Sequence, residues 1–164
     1  MQTAALSEMI GNPIDKVEQL ASGREWIFDR RSDEEMAVEV PGQWCDYGLY
    51  FAWSEDLNAL HFSCAFDMRV PPKCRPAIYE LLALLNERLW IGHFSLWQDE
   101  GLPMFRQTVQ AGPRGPTGRV LEDLMEVAVA ECERFYPAFQ FVIWGGKSAQ
   151  DAIAAAMLDV AGEA

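Results

Sequence analysis

Between Met36 and Val109 the hydrophobic repeat changes period twice, and this switching constrains the fold more than any other feature of the chain. Tyr47, Leu49, Phe51 and Trp53 alternate onto one face of an extended segment, and Leu60, Phe62, Cys64, Phe66 and Met68 do the same on the next. A two-residue period of this kind predicts strands. The period then becomes helical from about Arg75 to Ile91, with Ile78, Leu81, Leu82, Leu85 and Leu89 on one stripe. Two further strands follow, His93 to Gln98 and Met104 to Gln110, joined by a turn through Asp99-Glu100-Gly101. Strand pairs separated by a single long helix predict an α+β fold on an antiparallel sheet.

The flanking segments extend this plan. Asn12-Pro13 opens a first helix, with asparagine as the cap and proline at the position where its missing N–H costs nothing. Ile14, Val17, Leu20 and Ala21 form that helix's apolar stripe, and Gly23 ends it. Trp26 to Phe28 and Met36 to Val40 read as two strands around a charged turn. Pro41-Gly42 breaks the chain before a strand from Cys45 to Trp53, and Pro71-Pro72 closes a strand from Ala59 to Val70. Another helix starts near Thr117 and carries Leu121, Leu124, Met125, Ala128, Cys132 and Phe135 on one side. Pro137 must kink or end it. Phe139 to Trp144 therefore continues as helix or forms a strand; the lack of turn residues before it favours helix. Ser148 to about Val160 is a short alanine-rich helix. The expected order is helix, strands, long helix, strand hairpin, C-terminal helices, in one domain from residue 12 to 164 after a flexible N-terminus of residues 1–11.

With 164 residues, half of them hydrophobic, the chain can bury a full core without metal or disulfide. Cys45, Cys64, Cys74 and Cys132 have no metal-ligand spacing, and they point to a reduced, cytoplasmic protein. The net charge of −12 is spread evenly, with seven excess acids before residue 83 and five after it. No basic block could neutralise a phosphate backbone, which argues against nucleic acid, and the same charge repels an anionic membrane. Polypeptide partners fit it better. Met1 to Gly11 has no secretory pattern, and Phe141 to Trp144 is far too short to span a bilayer.

No catalytic constellation emerges. Gly146-Lys147-Ser148 imitates the end of a phosphate-binding loop, but the first glycine of that motif would fall on Phe141. The simpler account is a helix junction: Gly145-Gly146 stop one helix, and Ser148-Ala149-Gln150-Asp151 caps the next. His61 and His93 lack an evident nucleophile and orienting acid. The acids in Asp33-Glu34-Glu35 and Asp99-Glu100 fall in turns, where carboxylates are solvated. Neither a cofactor nor a metal is expected. Trp26, Trp53, Trp90 and Trp144 fall where core packing explains them. Tyr50, His61, His93 and Trp97 alternate onto the strand face opposite Leu49, Phe51, Phe62, Phe94 and Leu96. A second semi-apolar face calls for cover by the chain's own helices, a second copy or a bound polypeptide.

Three stretches, VPGQWCDYGLYFAW (Val40 to Trp53), NERLWIGHFSLW (Asn86 to Trp97) and ERFYPAFQFVIWGGKSAQDAIAAA (Glu133 to Ala156), resemble the YbjN-domain family of bacteria. The resemblance runs from Asn12 to the C-terminus and implies a sensory-transduction regulator. It also implies a fold similar to type III secretion chaperones, which are small, acidic, dimeric α+β proteins that bind extended polypeptide segments. The early hairpin and the helix after Gly146 are additions to the simplest chaperone plan. Together these readings predict a non-enzymatic, cytoplasmic protein-binding module, regulator-like or chaperone-like and homodimeric, that uses Tyr50, His61, His93 and Trp97. A small-ligand sensor, with a pocket between the sheet and the C-terminal helices lined by Trp97, Tyr50 and His93, is the alternative.

Overall fold

The structure, a computed structural model, describes residues 12–163; the expected flexible N-terminus lies outside them. In chain order the elements are α1 (Pro13–Gly23), β1 (Ile27–Arg30), β2 (Glu35–Pro41), β3 (Asp46–Ser54), β4 (Ala59–Ala65), α2 (Arg75–Asn86), β5 (His93–Trp97), β6 (Leu102–Gln110), α3 (Gly118–Ile143) and α4 (Ala149–Glu163). The six strands form one antiparallel sheet in the order β1-β2-β3-β4-β6-β5. Four consecutive strands make a meander. The crossover through α2 then returns the β5–β6 hairpin to the β4 edge, so the α+β plan read from the periodicity holds.

Local chemistry sets the helix ends. The Asn12 side chain accepts from the Ile14 amide at 2.9 Å, Thr117 from Val120 at 3.3 Å and Ser148 from Asp151 at 3.2 Å, so the starts of α1, α3 and α4 each satisfy one orphan N–H. Helix α2 stops at Asn86, not at Ile91 as its stripe suggested. The Asn86 carboxamide accepts from the Phe94 amide at 2.7 Å and donates to the Phe94 carbonyl at 3.0 Å. It thereby occupies an outward-facing rung of edge strand β5, which would otherwise invite another strand. Gly92 makes the turn at φ +68°, and a Cβ there would lie 2.3 Å from the Phe105 ring. Trp90 and Trp144, expected in the core, are 101% and 65% exposed. Both sit beyond a helix end, where an apolar side chain no longer points at the sheet. Strand β4 ends at Ala65, and Phe66 and Val70 continue as extended chain bonded to the Pro103 and Gly101 carbonyls.

Helix α3 runs through Pro137 without becoming a strand. Proline at 137 cannot donate to the Glu133 carbonyl, and the Trp44 indole N–H takes that acceptor at 3.2 Å. Trp44 also stacks on Tyr136, with ring centroids 6.1 Å apart. The Glu133 carboxylate holds the same β2–β3 loop, accepting from the Gln43 amide and, at 2.8 Å, from the Tyr47 hydroxyl. Burial and that carboxylate both push the Tyr47 hydroxyl pKa well up, so the phenol stays protonated as donor. The four helices share one core with a single face of the sheet. Leu49, Phe62, Cys64 and Phe105 are fully buried there. Phe94 packs on Phe135 and Phe139 of α3, and Phe66 packs on Tyr136 and Phe139.

Candidate functional site

The other sheet face carries none of the described helices. Register assigns its residues directly, because paired residues in an antiparallel sheet share a face. One rung crosses all six strands as Asp29, Ala37, Tyr50, Ser63, Arg106 and His93. To one side lie Glu35, Ala52, His61 and Thr108. To the other lie Ile27, Glu39, Gly48, Ala65, Met104 and Ser95, and beyond them Leu102 and Trp97.

All four residues singled out from the sequence therefore share this face, at different places on it. Tyr50 and His93 occupy the same rung with Ser63 and Arg106 between them. His61 is one rung away, and Trp97, 43% exposed, is two rungs away on the opposite side. The pocket suggested between sheet and C-terminal helices is not where these residues sit. Tyr50, His93 and Trp97 point away from the helices, and the space between sheet and helices is filled by packed aromatic rings.

The side chain that joins this face together is Arg106, which the sequence reading missed. Its guanidinium lies 3.0 Å from His61 Nε2. A guanidinium can only donate, so Nε2 accepts and the ring proton resides on Nδ1, which donates to Thr108 Oγ1 at 3.1 Å. Burial lowers the His61 pKa first, then the adjacent Arg106 charge, then His93. Neutral His61 is thus an acceptor for Arg106. Alternation along β6 places Met104, Arg106 and Thr108 together, a signal already present in the sequence.

Small residues hollow out this rung and the next. Ala37, Gly48 and Ala65 floor a concavity of about 650 Å³, walled by Ile27, Tyr50 and Arg69 among others. Tyr50 lies back along β3, its hydroxyl 3.3 Å from where a Cβ on Gly48 would stand. The Arg31 guanidinium lies 5.8 Å from the Tyr50 ring centre on the solvent side. Arg69 pairs with Glu100 at 3.0 Å at the rim. Among the described residues, no group of three or more His, Cys, Asp or Glu side chains is arranged to hold a metal, and no helix is long and apolar enough to cross a membrane.

A family model described as "YbjN: Putative bacterial sensory transduction regulator" matches residues 13–141. Among solved structures, one titled "Crystal structure of YbjN, a putative transcription regulator from E. coli" superposes with a TM-score of 0.51. It is 13% identical, and the match covers 72% of this chain and 84% of that one, which is a likeness of fold. No curated protein matches the chain.

Proposed function

The chain belongs to the YbjN family, and on that premise we propose that it is a single-domain, non-enzymatic regulator that works by contacting other polypeptides through its open sheet face. The observation that carries this reading is the face itself: six strands wide, without a described helix over it, and populated by Tyr50, His61, His93 and Trp97. Large exposed faces that mix aromatic and polar groups are typical of protein contacts. Both ring nitrogens of His61 are engaged by Arg106 and Thr108, which leaves it no free lone pair for base catalysis. The four cysteines are free thiols, two of them buried, which supports a reducing, cytoplasmic setting. In this reading the protein is a chaperone-like homodimer whose partners are polypeptides and not nucleic acid.

The test is the double variant Tyr50→Glu with Trp97→Glu. It should fold with an unchanged far-UV spectrum and either lose self-association in sedimentation or lose the proteins the parent retains from lysate. Unchanged behaviour in both assays would remove the open face from the function. The hollow at Gly48 favours a second reading, a small-ligand sensor, since its volume suits a small molecule. Gly48→Leu, which fills it, should then abolish ligand-induced stabilisation.

A further inference from the structure

Charge on the open face is divided between two strands. On β2 the residues of this face are Glu35, Ala37 and Glu39, both glutamates exposed. Neither has a cationic side chain within 4.0 Å among the described residues. On β6, Arg106 is half-buried, and its Nε is enclosed without a hydrogen-bond partner. No carboxylate lies within 4.0 Å of its guanidinium among the described residues. A partly buried guanidinium with only a neutral imidazole as acceptor lacks its counter-charge. In a chain of net charge −12 the missing acid is not for want of carboxylates.

We propose that a second copy of this chain supplies it, packing open face on open face with Arg106 of each copy seated between Glu35 and Glu39 of the other. This rests on the reading of the open face as a protein contact. A two-fold axis running along the strands between β3 and β4 lays every rung on its own reverse. Strand β6 then lies over β2, β4 over β3 and β5 over β1. Arg106 arrives over Ala37, whose small side chain leaves room, with a glutamate two residues away on either side. His93 comes over Asp29, and Tyr50 over Ser63. Sheets stacked this way stand about 10 Å apart, a gap that an arginine from one copy and a glutamate from the other bridge together.

The alternative axis, across the strands, would place β6 on β6 and β2 on β2, arginine facing arginine and glutamate facing glutamate. The charge division selects the first orientation. Arg31, 3.8 Å from Asp29, offsets charge at the β1 edge, so Glu35 and Glu39 carry the attraction. Asp46 and Asp67 lie at one end of the face, where solvent screens them. Six strands at about 4.8 Å spacing and roughly seven residues of length give a footprint near 700 Å². A specific interface should bury about 1,000 Å² in total, or about 500 Å² per partner, which this footprint exceeds.

The experiment uses two full-length variants, Arg106→Glu and Glu35→Lys/Glu39→Lys, studied separately and mixed by sedimentation velocity and native mass spectrometry. Each alone should dimerise about a hundredfold more weakly than the parent, because each dimer loses two contacts of about tenfold each. Mixed, they should form a one-to-one heterodimer, since both Arg106–glutamate contacts are then complementary again, one native and one reversed. Should Arg106→Glu fail to fold, Glu35→Lys/Glu39→Lys alone, altered only at exposed positions, must still weaken the dimer about a hundredfold. A parent dimer indifferent to both variants, with no preference on mixing, overturns the proposed orientation while leaving the open face as a contact. A parent that stays monomeric at about 50 μM overturns the second copy as occupant. If that monomer still loses captured proteins on Tyr50→Glu/Trp97→Glu, the face belongs to a different polypeptide.

Discussion

The two faces of the sheet are made by the same strands, one residue out of step, yet they solve different problems. On the helix side Leu49, Phe62, Cys64 and Phe105 are fully enclosed, and aromatic rings from β5, β6 and α3 meet edge to face. On the open side Tyr50, Ser63, Arg106 and His93 occupy one rung with no described element above them. The first face fixes the fold, because any slip of register by one residue would expose its whole apolar set. The second is released from that duty and can carry charge where folding alone would not put it. Arg106 and the Glu35–Ala37–Glu39 strip are of this kind.

That contrast can be broken most forcefully at Phe94, which touches Phe66, Phe105, Phe135 and Phe139 at centroid distances of 5.6 to 6.2 Å. Phe94→Ala should cost about 4 kcal/mol in denaturant unfolding. His93→Ala, one residue away on the open face, should cost no more than about 0.5 kcal/mol. Similar losses at the two positions would show that the open face is as structural as the buried one.

A smaller effect tests how the β2–β3 loop is tied to the buried side. Glu133→Ala removes the carboxylate that accepts from Gln43 and Tyr47, leaving a largely enclosed phenol unpaired. A loss of about 2 kcal/mol is expected. Trp44→Phe, which strips the donor from the carbonyl that Pro137 leaves free, should cost about 1 kcal/mol by the same rule. If restoring a helix donor with Pro137→Ala abolishes the cost of Trp44→Phe, the indole is confirmed as the substitute for the missing backbone bond.

At the helix junction the expected effects are smaller again. Ser148→Ala should lose about 1 kcal/mol with the cap to Asp151. Lys147→Ala should change stability by less than about 0.5 kcal/mol, as expected of an exposed lysine. Nucleotide binding that disappears with Lys147→Ala would reverse the reading of Gly146-Lys147-Ser148 as a connector.

Periodicity made the strands and their two faces legible, and it placed Tyr50, His61, His93 and Trp97 together because alternation needs no tertiary knowledge. It could not end α2, since Leu89, Trp90 and Ile91 prolong the apolar stripe. The competing event, the Asn86 carboxamide closing on Phe94, is a side-chain contact across the turn. Trp90 and Trp144 were misplaced because hydrophobicity does not by itself bury a residue at the end of an element. Arg106 was missed for a different reason. Its importance lies in facing His61, and that pairing is set by the β4–β6 register across 45 residues. The Glu133 clamp spans 86 to 90 residues and leaves no local trace.

The smallest expected effect is also the one that most directly probes the open face. His61 is held neutral in the fold by burial, by Arg106 and by His93, so its folded pKa lies below the ordinary value near 6.5. The unfolded chain then binds a proton more readily than the folded one between those two values. By linkage the His61 contribution is fully present above about pH 6.5 and is lost as pH falls through the lowered folded pKa. Protonation would also take away the lone pair that accepts from Arg106. His61→Gln keeps an acceptor for Arg106 and a donor for Thr108 but does not titrate. Thermal melts at pH 8 should therefore be close for the two proteins. On acidification to about pH 5 the parent should lose more stability than the variant. Parallel losses would mean that His61 titrates alike in both states and that Arg106 exerts no hold on it.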